Sequence, residues 1–178
     1  ASARSGQIDA AALVPATPMQ RRLWLLHRLD PTDTAYHVPF AARVRGLASA
    51  ESFREAFARV VARHEALRLS FAPREDEPLL ALSAEPPLDF VAEPVLREGE
   101  GAWVAAQVER PFDLERGPLV RAAVAELAEG EHVLLVVAHH AVCDGASLEI
   151  LVRDLVSALR GEGGAASDHE GQGEKGDD

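Results

Sequence analysis

HVLLVVAHHAVCDG (132–145) is the stretch whose reading decides the fold. Residues 133–138 are apolar without a break, the pattern of a central strand covered on both faces rather than one half open to water. His139 and His140 follow at once, then Ala141-Val142-Cys143 and Asp144-Gly145. At this chain's own residue frequencies, two histidines, three residues and Asp-Gly would arise by chance about once in a thousand sequences of this length. Neighbouring strand residues point to opposite faces, so the two histidines cannot address one ligand together. His139 is assigned to the interior and His140 to a cleft. The same geometry argues against a metal centre built on the pair.

An imidazole with its ordinary pKa of about 6.5 is mostly neutral at pH 7 and able to accept a proton. Asp144 either orients that ring or pairs with an arginine to hold the loop. Gly145 lets the backbone pass close to a substrate, and its N–H suits a developing oxyanion. Cys143 has no thiolate-stabilising base beyond these histidines and reads as a small packing residue.

Outward from this stretch, 119–127 is a second strand, joined to 132–140 by a tight turn at Glu129-Gly130. A closing helix over 146–159 turns Leu148, Leu151, Val152, Leu155 and Leu159 inward. Near the start, Thr17-Pro18-Met19-Gln20 offers an N-cap, a proline in the first turn and a glutamine placed to complete a capping box. That helix buries Leu23, Leu26 and Trp24 and stops at Asp30-Pro31. HVPFAARVR (37–45) alternates as a strand, and Ser49 caps a helix carrying Phe53, Phe57, Val60 and Val61. Leu67, Leu69 and Phe71 alternate as a strand, and 79–82 returns beside it after the charged turn PREDEP (73–78). Residues 103–108 form a short helix ending near Pro111, and the glutamate run at 93–100 is a solvated loop. His27, His37, His64 and His132 have no chemical context and read as surface or packing residues. Helices and strands mix throughout, so the fold class is α/β, a mixed β-sheet flanked by helices.

The 178 residues are 47% apolar and 26% charged, enough for one ordinary domain with its own core. The net charge of −11 argues against wrapping nucleic acid or sitting on an anionic membrane. One cysteine excludes a disulfide framework and a cysteine-based zinc site. No secretory signal and no membrane span is read, so the expected compartment is the cytoplasm. The last stretch, GEGGAASDHEGQGEKGDD (161–178), has six glycines and six acidic residues against one lysine. It reads as a disordered acidic tail or linker after a folded unit at 1–160.

HHAVCDG matches HHxxxDG, the signature of nonribosomal peptide synthetase condensation domains and of the related chloramphenicol acetyltransferases. TPMQRRLWLLHRLDPTDTAYHVPFAARVRG (17–46) is similar to the first condensation motif, including Gln20, Arg22 and Trp24. RHEALRLSF (63–71) resembles the second, with Leu69 in place of the usual threonine, and RPFDLERGPLVRA (110–122) resembles the segment before the histidine strand. After Gly145, Ala146 replaces a common aromatic or branched residue, while Ser147 stands in its usual place. The chain is thus similar to the N-terminal, chloramphenicol-acetyltransferase-like lobe of a condensation domain, whose second lobe it lacks.

The resemblance implies amide formation between a donor acyl or peptidyl thioester on one carrier protein and an aminoacyl thioester on the next. No cofactor is intrinsic; the phosphopantetheine arms belong to the carriers, which with the second lobe and adjoining synthetase domains are the implied partners. His140 is the expected key group, with His139, Asp144 and Gly145 completing the motif. Arg68, or failing that Arg63, is expected to hold the Asp144 loop through a buried bidentate pair. The second motif and AYHVPF (35–40) lean towards an L-configured donor. Two alternatives stand beside this reading: a stand-alone CoA-dependent acyltransferase, and a catalytically silent lobe that docks carriers.

Overall fold

The hairpin read at 119–140 forms the middle of the fold in the computed structural model, which describes residues 10–72, 77–85 and 88–161. Along these residues the elements are β1 (Ala10–Pro15), α1 (Pro18–Leu29), β2 (His37–Arg45), α2 (Ala50–Arg63), β3 (Leu69–Ala72) and β4 (Leu79–Ser83). They continue with β5 (Asp89–Pro94), α3 (Glu100–Val108), β6 (Val120–Glu126), β7 (Glu131–His139) and α4 (Gly145–Leu159). β6 and β7 run antiparallel with Ala122 opposite Val136. A 3-10 turn, Ala128–Gly130, joins them, and Gly130 has a φ of +71°, a left-handed conformation that glycine adopts without steric cost.

β2 pairs antiparallel with the free side of β7, and β5 lies parallel to β6. The resulting sheet, β2-β7-β6-β5, is mixed, and a separate antiparallel sheet runs β1-β4-β3. The unbroken apolar character of β7 follows from what covers its two faces. Ala125 and Val133 point to one face and pack with Trp103 and Val104 of α3. Their neighbours Val124 and Leu134 point to the other and join the main core with Phe53 and Phe57 of α2 and Leu151 and Leu155 of α4.

The helix starts follow the predicted chemistry. Thr17 caps α1 in a reciprocal capping box with Gln20, and Ser49 caps α2 with Ser52. Leu23 and Trp24 of α1 are buried, while Met19, Leu25 and Leu29 are exposed. α2 packs against α4, and His64 at its C-terminus bonds Asp154 of α4 at 2.8 Å, so His64 has a partner the sequence does not suggest.

Three expectations are corrected. Leu67 lies in a 3-10 turn, Glu65–Arg68, and the strand begins only at Leu69. The expected loop at 93–100 holds the end of β5, a 3-10 turn at Arg97–Gly99 and the start of α3. The strands β1 and β5 were not anticipated. Of the tail at 161–178, all but Gly161 lies outside the described residues, as does 73–76 of the charged turn.

Candidate active site

β7 ends at His139, and the two histidines divide where the strand gives way to a turn: His139 is 4% exposed, and His140 stands at the surface in the turn that follows. The His139 ring lies among Tyr36, His37 and Phe112, with ring centres 6.2–6.5 Å away. Its Nδ1 accepts the Ala141 N–H at 3.1 Å, so that nitrogen carries no proton and the ring is a neutral acceptor. Burial, reinforced by His37, pushes its pKa down to about 4. His139 is a structural pin for the turn, not a group open to a substrate.

The floor beneath it is polar but closed. Arg121, 3% exposed, lies over the Phe112 ring at 4.0 Å and donates to the carbonyls of Gln107 and Arg110. Burial lowers its pKa to about 10. His37 Nδ1 donates to the Val108 carbonyl at 2.6 Å, and burial lowers the pKa of this ring as well. The end of α3 is thereby tied to β2 and β6, the two strands that flank the one leading into the motif, a role sequence reasoning did not give to His37 or Arg121. The signal was present: an arginine at 121, inside an otherwise apolar strand, demands buried acceptors.

The turn after His139 is held by its backbone. His140 N–H donates to the Tyr36 carbonyl at 2.9 Å, and Val142 N–H to the His139 carbonyl at 3.0 Å. Gln20 Nε2 donates to the Ala141 carbonyl at 2.9 Å. Ala141, Val142 and Cys143 are buried, which leaves His140 and Asp144 exposed at the two ends of the turn. Burial raises the Cys143 thiol to about 11, with Asp144 adding to it, so the sulfur stays protonated and a nucleophilic role is not supported.

Asp144 is the N-cap of α4 and accepts from Ser147 N–H at 2.8 Å. These hydrogen bonds hold its carboxyl below the ordinary range, and the nearby His140 charge acts in the same direction. The expected arginine pair does not form. Arg68 Nη1 donates to the Ser83 carbonyl at 2.8 Å, because the 3-10 turn aims it at the end of β4, and Arg63 is exposed at the end of α2. Asp144 instead spends its acceptor on its own helix. Gly145 opens α4, and a Cβ there would meet no atom within 4 Å among the described residues. Among the described residues nothing demands a glycine at that position. Among the described residues no group of three or more histidine, cysteine or acidic side chains is placed to hold a metal ion.

An exposed imidazole beside a capping carboxylate, on a turn pinned from below, is the arrangement that HHxxxDG describes. The model of the condensation-domain family matches residues 10–166. This chain belongs to that family. It is 36% identical to the chondramide synthase of Chondromyces crocatus over 152 residues, covering 81% of this chain and 4% of that protein. It is also 34% identical to bacitracin synthase 3 of Bacillus licheniformis over 149 residues, covering 80% of this chain and 2% of that one. The starter condensation domain of rhizomide synthetase shares the fold with a TM-score of 0.78 at 19% identity, over 89% of this chain and 40% of that chain. The X-domain seen in complex with OxyB from teicoplanin biosynthesis is 31% identical with a TM-score of 0.76, over 89% of this chain and 34% of that chain. The condensation-domain chain described here is therefore an α/β lobe that spans a small part of the synthases it matches.

Proposed function

We propose that this chain supplies the histidine-bearing lobe of a condensation domain that forms amide bonds between carrier-bound thioesters. The observation that carries the reading is His140, exposed and backbone-anchored to Tyr36, with Asp144 across the turn, in a chain of this family. The acceptor amine attacks the donor thioester carbonyl, the new C–N bond forms and the C–S bond breaks. The departing carrier thiol takes up a proton as the amine loses one. His140 is the group we assign to accept or steer that proton, with the Asp144 carboxylate at the other end of the turn.

A neutral amine needs little activation, so holding it in line with the carbonyl contributes more than removing its proton. The first-turn N–H of Gly145 has no preceding turn to satisfy it and is available to the oxyanion that forms on attack. The partners are acyl or peptidyl carrier proteins bearing phosphopantetheine, a second condensation lobe and adjoining synthetase domains. The compartment is the cytoplasm. Among the described residues no helix is long and apolar enough to cross a membrane. An L-configured donor remains part of this reading.

The relatives do not favour the acetyltransferase or silent-lobe alternatives. The test is amide formation from carrier-bound thioesters by the full synthetase module that contains this lobe, with and without His140→Ala. Loss of product with carrier binding retained is the expected result. Turnover equal to that of the unaltered protein would overturn the assignment.

A further inference from the structure

Gln20 makes two contacts with different demands. Its Oε1 accepts from the Thr17 backbone N–H and from Thr17 Oγ1, both at 2.9 Å, closing the capping box of α1. A carboxamide has one oxygen and one nitrogen on opposite sides of the group, so committing the oxygen to the cap turns Nε2 away from the helix start. That nitrogen donates to the Ala141 carbonyl at 2.9 Å, 121 residues further along the chain.

Ala141 follows His140 directly and is buried. Its peptide groups are held from two sides: its N–H by His139 Nδ1 and its carbonyl by Gln20. With His140 N–H fixed to Tyr36, the backbone on both sides of the exposed imidazole is anchored to other elements. Capping alone does not call for an amide. A glutamate at this position closes a capping box equally well, and it is the donor nitrogen that only glutamine supplies.

We propose that Gln20 is a positioning residue that sets the His140 turn by latching the start of α1 to Ala141. This rests on the reading of His140 as the working group. Two variants separate the latch from the cap. Gln20→Glu keeps an oxygen for Thr17 but has no donor, and sets a carboxylate against the Ala141 carbonyl. Thr17→Ala removes the hydroxyl half of the cap, yet leaves a backbone N–H at 17 to orient the amide.

Hydrogen exchange read by mass spectrometry on the full chain, together with steady-state amide formation by the synthetase module that contains it, tests both. For Gln20→Glu the peptide spanning 140–144 exchanges about five- to tenfold faster, while the α1 peptide is unchanged. The same variant lowers kcat by about ten- to a hundredfold with little change in KM. Thr17→Ala speeds exchange in α1 and leaves both the turn and kcat as they were. Unchanged exchange at 140–144 in Gln20→Glu would overturn the latch. Faster exchange with unaltered kcat, or an equal kcat loss in Thr17→Ala, would overturn the positioning role. If turnover ignores His140→Ala, the functional reading fails and takes the positioning role with it, while the exchange data still report on the contact alone.

Discussion

His139 and His140 share a peptide bond and almost nothing else. The first is 4% exposed among Tyr36, His37 and Phe112, accepts a backbone N–H and is held neutral down to about pH 4. The second stands at the surface of the turn, anchored through its backbone and next to a carboxylate. Adjacent positions at a strand end therefore meet different surroundings, the last strand residue buried and the first turn residue exposed, and the proposed function gives the chemical part to the second. The difference is sharp enough to be broken in either direction by substitution.

The largest effect is expected at His140. His140→Ala should lower amide formation by about 10²- to 10⁴-fold, the range a positioned proton-transfer group contributes. Its melting temperature should move by no more than about 1–2 °C, because an exposed side chain carries little of the fold. A large loss of stability with unchanged turnover would reverse the roles of the two histidines.

The next effect belongs to His139 and shows in pH dependence. The buried ring takes up its proton near pH 4, whereas an unperturbed histidine in the unfolded chain does so at 6.5. Between those values the unfolded state binds more protons, so stability present above pH 6.5 is lost as the pH falls towards 4. The loss is on the order of 3 kcal/mol if the whole shift is realised. His37, lowered by its own burial, adds a loss of the same sign. His139→Asn keeps an acceptor for Ala141 N–H and removes the titration. Melting followed from pH 7.5 to 4 should be visibly flatter in that variant, with the remaining slope due to His37 and to carboxylates held low by their partners, among them Glu131 and Asp154. An unchanged slope would mean that His139 is hydrated and open, against its placement here.

How much of this was legible beforehand follows the range of the interactions. The β6–β7 hairpin was readable because six consecutive apolar residues and a glycine turn are local facts, and so were the caps at Thr17 and Ser49. The division of the two histidines was expected from pleat geometry, but it arises where β7 ends at His139 and a turn begins at His140. β5 escaped notice because an edge strand ending in Glu93 and Pro94 carries no strong alternation. The latch from Gln20, the His64–Asp154 bond and the Arg121 floor join residues 121, 90 and 11–14 positions apart. Arg121 was marked by its apolar neighbours, but nothing local names the carbonyls it reaches. The arginine expected at Asp144 failed for a related reason: composition offers a cation, yet only the path of the 3-10 turn says where Arg68 points.

The smallest effect separates two accounts of Asp144. A carboxylate buried against an arginine would make Asp144→Asn a severe change, since the partner charge would be left unpaired. In this structure the side chain is exposed and its contact is the Ser147 N–H at the start of α4. Asparagine caps a helix about as well as aspartate, and alanine does not. Asp144→Asn should therefore melt within about 1 °C of the unaltered protein, and Asp144→Ala about 2–4 °C below it. Turnover should divide the variants differently, because both remove the negative charge beside His140. Equal losses of rate in Asn and Ala, set against unequal losses of stability, would assign the cap to the oxygen and the chemical contribution to the charge. A steep drop in melting for Asp144→Asn would instead restore the buried ion pair, and with it a different path for the loop that carries His140.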